Sequence, residues 1–126
     1  MSSLTRDLLR GVNEALDEHN LSSLERTHIP RLDVPDRIEP GKPVRVGVLV
    51  DSNGTSSPRR GHFIHSLELY ADRTELARVD FLPGHSIPTV ELTVLLPPGA
   101  GELSAVAHCT MHGSWIGRVK LQYSDD

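Results

Sequence analysis

One cysteine, one tryptophan, two tyrosines and two phenylalanines are all that 126 residues supply in thiols and aromatic rings. A single thiol excludes an internal disulfide, so the fold has to be held by one core of ordinary size. No apolar run approaches the roughly 20 residues of a membrane-spanning helix, and the N-terminus lacks the apolar centre of a secretory leader. Charge of one sign is missing too. The 13 Lys and Arg stand against 17 Asp and Glu, a net charge of -4, which offers no footprint for nucleic acid or an anionic membrane. A lone cysteine among seven histidines fits a reducing compartment and points to metal ligation. The expected address is the cytoplasm.

What the chain does have is patterning. Leu4, Leu8, Val12 and Leu16 recur at a spacing of four, with Ser2 or Ser3 able to cap and Asp7 in the first turn, which predicts a short amphipathic helix over residues 3–19. Asn20 and Ser22-Ser23 are expected to end it. Residues 1–23 thus read as a helical extension, packed on the rest of the chain or on a second copy. From Leu24 prolines punctuate the sequence, and then short alternating runs begin. Val44, Val46, Val48 and Val50 share a face; Phe63, His65, Leu67 and Leu69 are expected to share another. Further strands are predicted over 76–82, 88–96, 103–109 and 119–123, with Pro97-Pro98-Gly99 as a turn and 51–61 as a loop. Many short strands with turns about every ten residues predict an all-β domain, an immunoglobulin-like antiparallel β-sandwich over 24–126 with a short N-terminal α-helix.

The chemistry concentrates in Ala107-His108-Cys109-Thr110-Met111-His112-Gly113-Ser114-Trp115. Cys109 and His112 form a C-x-x-H at a strand end, and Gly113 supplies a tight turn directly after it. His28, two residues before Pro30, and His62, at the mouth of a strand, lie at the edges of other elements. A sandwich gathers such loop ends at one pole.

Four segments carry a resemblance to a known family. Cys109-Thr110-Met111-His112-Gly113-Ser114-Trp115 is similar to Cys-Asn-x-His-Gly-x-Trp, and His62-Phe63-Ile64-His65-Ser66-Leu67-Glu68-Leu69-Tyr70 to a ligand-histidine strand ending in Glu-Leu-Tyr. Glu25-Arg26-Thr27-His28-Ile29-Pro30 is similar to Glu-Lys-His-Val-Pro, and Ala77-Arg78-Val79-Asp80-Phe81 to Gly-Arg-Val-Glu-Phe. In this order they resemble the iron domain of the superoxide reductases, the desulfoferrodoxin/neelaredoxin family. The resemblance implies a mononuclear non-haem iron with equatorial histidines, an axial cysteinate and an open position. The implied reaction is one-electron reduction of superoxide to hydrogen peroxide. It implies His28, His62 and His112 as equatorial ligands and Cys109 as the axial one.

The chain departs from the family at three places. A further ligand histidine six residues before His62 is replaced by Ser56. The Glu-Lys-His segment is one residue longer, so the family's glutamate corresponds to Glu25 and its cation to Arg26, the two candidate catalytic residues. No CxxC is present, so the likeness is to the one-iron class, whose electrons come from an external donor such as a rubredoxin-like protein. His85 and His108 are the remaining candidates to replace the missing ligand, with a polar turn and an outward strand face expected for them, whereas His65, three residues along the strand from His62, is expected to point to the opposite face. Three histidines and a cysteine also complete a tetrahedral zinc set. Besides the superoxide-reducing enzyme, two alternatives therefore stand: an iron oxidase or oxygenase acting on another small molecule, and a non-catalytic zinc-binding interaction domain.

Overall fold

The computed structural model describes residues 11–50, 63–82 and 85–124. Among the described residues, seven strands and one helix follow in chain order: α1 (Ser23–His28), β1 (Arg31–Asp33), β2 (Val44–Leu49), β3 (Ile64–Ala71), β4 (Thr74–Asp80), β5 (Thr89–Val94), β6 (Glu102–Cys109) and β7 (Gly113–Lys120). They build two antiparallel sheets, one ordered β1-β2-β5 and the other β4-β3-β6-β7. The expected all-β sandwich is the observed architecture.

The core lies between the sheets and follows the pleat, since alternate side chains of a strand share a face. Val44, Val46, Val48 and Val50 enter it from the three-stranded sheet. Leu67, Leu69 and Ala71 of β3 and Leu103, Ala105, Ala107 and Cys109 of β6 enter from the four-stranded one. The anticipated face of Phe63, His65, Leu67 and Leu69 is corrected at its first half. Ile64 opposes Cys109 while Ser66 opposes His108, so His65 is an extra residue in β3. This bulge turns Ile64 into the core and leaves His65 exposed.

The N-terminal expectation changes more. Residues 11–20 are not helical; Asn13 instead makes an isolated parallel bridge to Trp115 on the outer edge of β7. Leu16 is 96% exposed, so its place in the four-residue spacing reflects no packing. A stretch containing Gly11 and Asn13 has little intrinsic helix propensity, and the unpaired edge of β7 offers its backbone hydrogen bonds instead. Residues 3–10 of the expected helix lie outside the described ones, as do the loop carrying Ser56, Arg59 and Arg60 and the following His62.

Ser22 and Ser23, expected to end a helix, begin one. Ser22 caps α1: its hydroxyl accepts from the Glu25 N–H while Glu25 reaches back to the Ser22 N–H. Pro30, buried just beyond the helix, keeps the chain extended on its way into β1. The short α1 therefore hangs from the three-stranded sheet, whereas Cys109 and His112 belong to the hairpin of the four-stranded one.

Candidate metal centre

Cys109 ends β6 opposite Gly113, the first residue of β7, and residues 110–112 close the hairpin between them. Gly113, directly after the loop, takes φ +82°, in the left-handed region that glycine adopts without strain. A side chain there would favour another backbone, so glycine fixes where His112 stands. The hairpin is tied to the start of β3 by Thr110, whose N–H donates to the Phe63 carbonyl at 3.0 Å and whose hydroxyl accepts from the Phe63 N–H at 3.1 Å.

His28 arrives from the other side, at the last position of α1. Its Nε2 lies 3.1 Å from His112 Nδ1, and Cys109 Sγ lies 3.9 Å from the same nitrogen. One donor atom from each of His28, Cys109 and His112 falls within a span of 4.8 Å. His28 and Cys109 are buried and His112 is partly open, so the cluster sits just beneath the surface.

The tautomers follow from the surroundings. His28 Nδ1 faces the Leu24 carbonyl at 2.8 Å and the Thr27 hydroxyl at 2.9 Å. The Thr27 hydroxyl also lies within reach of the Ser23 and Leu24 carbonyls, to which it donates. Nδ1 of His28 therefore carries the proton, and Nε2 presents its lone pair to the cluster. The backbone N–H of His112 donates to Cys109 Sγ, 3.4 Å away, which holds the sulfur beside the His112 ring. Trp115 covers the back: its indole N–H donates to the His112 carbonyl at 3.0 Å. Its ring lies 5.3 Å from that of His28. Two imidazole nitrogens and a cysteine sulfur gathered at one point form a donor set suited to a transition metal, with borderline and soft donors combined.

The other candidates fall elsewhere. Glu25 is 8% exposed, and both of its oxygens are occupied: Oε1 accepts from the Ser22 N–H at 2.9 Å and Oε2 from the Leu16 N–H at 3.2 Å. These backbone donors hold its carboxyl below the usual carboxylate range. The observed work of Glu25 is thus to cap α1 and tie down the preceding segment. Arg26 is exposed, its guanidinium donating to the Leu21 carbonyl at 3.3 Å. His62 lies outside the described residues, and His85 sits in an exposed turn.

His108 faces away from Cys109, as expected. On the outer side of the sheet its Nδ1 meets Ser114 Oγ at 2.6 Å and its Nε2 meets Glu68 Oε2 at 3.0 Å. Tyr70 donates to the other Glu68 oxygen at 2.7 Å, and His65 stacks on His108 at 5.9 Å. The pleat signalled the direction of His108; nothing local signalled these partners, which come from β3 and β7. A cavity of about 380 Å³ lies between Glu14, Ile29, Pro30 and Arg118, and none of the three converging donors lines it.

The family model described as desulfoferrodoxin matches residues 20–118. A Methanocaldococcus jannaschii protein described as "Putative superoxide reductase" is 35% identical over 98 residues, 75% of this chain and 81% of its own length. The solved superoxide reductase (neelaredoxin) of Ignicoccus hospitalis superimposes with a TM-score of 0.73 at 26% identity, covering 90% of this chain and 95% of that one. A superoxide reductase from Nanoarchaeum equitans shares the fold, with a TM-score of 0.63 at 23% identity over 76% of this chain and 94% of its own. With four-fifths of the sequence inside the family match, the chain belongs to the desulfoferrodoxin family.

Proposed function

We propose that the protein is a mononuclear non-haem iron oxidoreductase that reduces superoxide to hydrogen peroxide. The observation that carries this reading is the convergence of His28 Nε2, His112 Nδ1 and Cys109 Sγ within 4.8 Å, in a chain of this family. His62 is proposed as the further ligand, with Ser56 standing where another family histidine would be. Bound iron would supply one electron to superoxide, two protons completing the peroxide. The protein's own groups prepare that chemistry. Leu24 and Thr27 fix the His28 proton on the ring nitrogen that faces away from the cluster. The His112 N–H donates to the Cys109 sulfur and holds it in place. Arg26, exposed two residues before His28, adds positive potential for an incoming anion. Electrons are proposed to come from an external donor of the rubredoxin kind, and the proposed setting is the cytoplasm; among the described residues no helix is long and apolar enough to cross a membrane.

The test is elemental analysis of anaerobically purified protein, followed by stopped-flow mixing of the ferrous form with superoxide. Stoichiometric iron, a thiolate charge-transfer band and oxidation faster than spontaneous dismutation are the expected results. A rate no faster than dismutation rejects the activity. A second reading rests on the same donor set: two histidines and a cysteine with one more histidine make a closed tetrahedral zinc site. Stoichiometric zinc with no iron would favour it.

A further inference from the structure

His28 and its two partner donors reach the centre by different routes. His28 is on α1, whose chain continues through Pro30 into β1 of the three-stranded sheet. Cys109 and His112 are on the β6–β7 hairpin of the four-stranded sheet. A helix of six residues gains too little from its own hydrogen bonds to hold a side chain in place. The spacing of the three donors thus depends on whatever joins α1 to β7.

Residues 13–16 make that join. Asn13 is bonded to β7 on both sides of Trp115: its N–H donates to the Ser114 carbonyl at 2.8 Å, its side-chain amide to the same carbonyl at 3.0 Å, and its carbonyl accepts from the Ile116 N–H at 2.9 Å. Glu14 pairs with Arg118 of β7 at 2.9 Å. Three residues after Asn13, the Leu16 N–H donates to Glu25 on α1 at 3.2 Å. The same carboxylate accepts from the Ser22 N–H at 2.9 Å, so the helix cap and the crossing segment share one group. The attachment on β7 begins two residues after His112, and the attachment on α1 lies three residues before His28.

We propose that residues 13–16 are a brace for the metal centre, in which Asn13 and Glu25 are positioning residues that set the distance between α1 and the Cys109/His112 hairpin. The proposal rests on the metal-binding reading above and extends it to a segment outside the donor set. Leu16 gives a clean way to cut the brace. Its side chain is almost wholly exposed, so Leu16→Pro removes the N–H that Glu25 accepts and little else, and Leu16→Ala keeps it. Cobalt(II) alone is the probe, because its ligand-field and thiolate bands report the geometry of the donors.

Leu16→Pro is expected to weaken cobalt affinity and speed its release to a chelator by about 10-fold, the scale of one lost charge-assisted hydrogen bond, with shifted cobalt bands. Leu16→Ala should match the parent protein. Glu25→Gln, which keeps the shape but loses one of the two accepted bonds, should move the same readouts in the same direction by less; it serves if the proline variant fails to fold. A structural role alone would lower the melting temperature of the metal-free protein and leave the bands and the release rate where they were, and that result overturns the brace. If the parent protein itself takes up no cobalt, iron or zinc, the metal reading falls and takes the brace with it.

Discussion

Two histidine clusters sit back to back at one end of the four-stranded sheet, and they differ in what their nitrogens face. On the inner side the donors of His28, Cys109 and His112 converge, with no carboxylate in the group. On the outer side His108 is held between Ser114 and Glu68, one partner on each ring nitrogen. Cys109 and His108 are neighbours in sequence, and the pleat alone sends them to opposite faces. On the inner face the nitrogens of His28 and His112 face each other at 3.1 Å beside the Cys109 sulfur, an arrangement that a cation can join. A ring whose nitrogens are both matched by hydroxyl and carboxylate needs none. Histidine content therefore does not identify a metal site; the convergence of donor atoms does.

The comparison breaks first at sulfur. Cys109→Ser is expected to abolish any thiolate-to-metal band and to lower metal affinity by more than about 100-fold, beyond the effect of an outer partner. Anaerobic titration followed in the visible range would show it. His108→Ala, one residue earlier, should leave the band in place. Its cost is in stability, about 1–3 kcal/mol by urea denaturation, because Glu68 and Ser114 lose a partner at a site where the two side chains are 24% and 14% exposed for His108 and Glu68. A lost band in His108→Ala would mean that the two clusters act as one.

A backbone contact comes next. A Cβ on Gly117 of β7 would overlap the Pro30 carbonyl oxygen and crowd the Ile29 side chain. Pro30 follows His28 by two residues, and neither backbone can yield without parting α1 from β7. Gly117→Ala should cost roughly 1–3 kcal/mol in urea denaturation, the range for overpacking, and should weaken metal binding too. A variant that loses stability but titrates with metal as the parent does would show that this contact supports the fold and not the centre.

Much of this was legible in the residues themselves. The valine alternation of β2 and the Leu103-Ala105-Ala107-Cys109 face of β6 follow from a period of two, and both point into the core as that period requires. Cys109 and His112 were visible as a short-range pair. What placed His28 beside them was the family likeness, since 84 residues of chain separate His28 from His112 and no local pattern encodes such a contact. The bulge at His65 was hidden because an extra residue leaves the alternation readable in either phase. Leu4, Leu8, Val12 and Leu16 suggested a helix through 19, but an edge strand claimed Asn13. The Ser22–Glu25 capping box is a helix-start signal that the apolar spacing before it masks.

The smallest expected effect separates the clusters by acid. Glu25 is held below the usual carboxylate range by the Ser22 and Leu16 backbone N–H groups. For Glu68, burial pushes the carboxyl up, but the hydrogen bonds from Tyr70 and His108 outweigh it, and the net shift is downward. A carboxyl whose folded pKa is depressed adds stability that is complete above its unfolded value and is lost as pH falls through the folded one. Both groups should therefore steepen the loss of stability on acidification below the ordinary glutamate range. They differ in what else they carry away. Melting curves of the metal-free protein from neutral to about pH 3 should be flattened by Glu25→Gln and by Glu68→Gln alike. At neutral pH only Glu25→Gln should quicken metal release, because only Glu25 joins the segment on β7 to the helix that bears His28. Equal release from the two variants would remove the distinction between the inner and outer faces on which the argument stands.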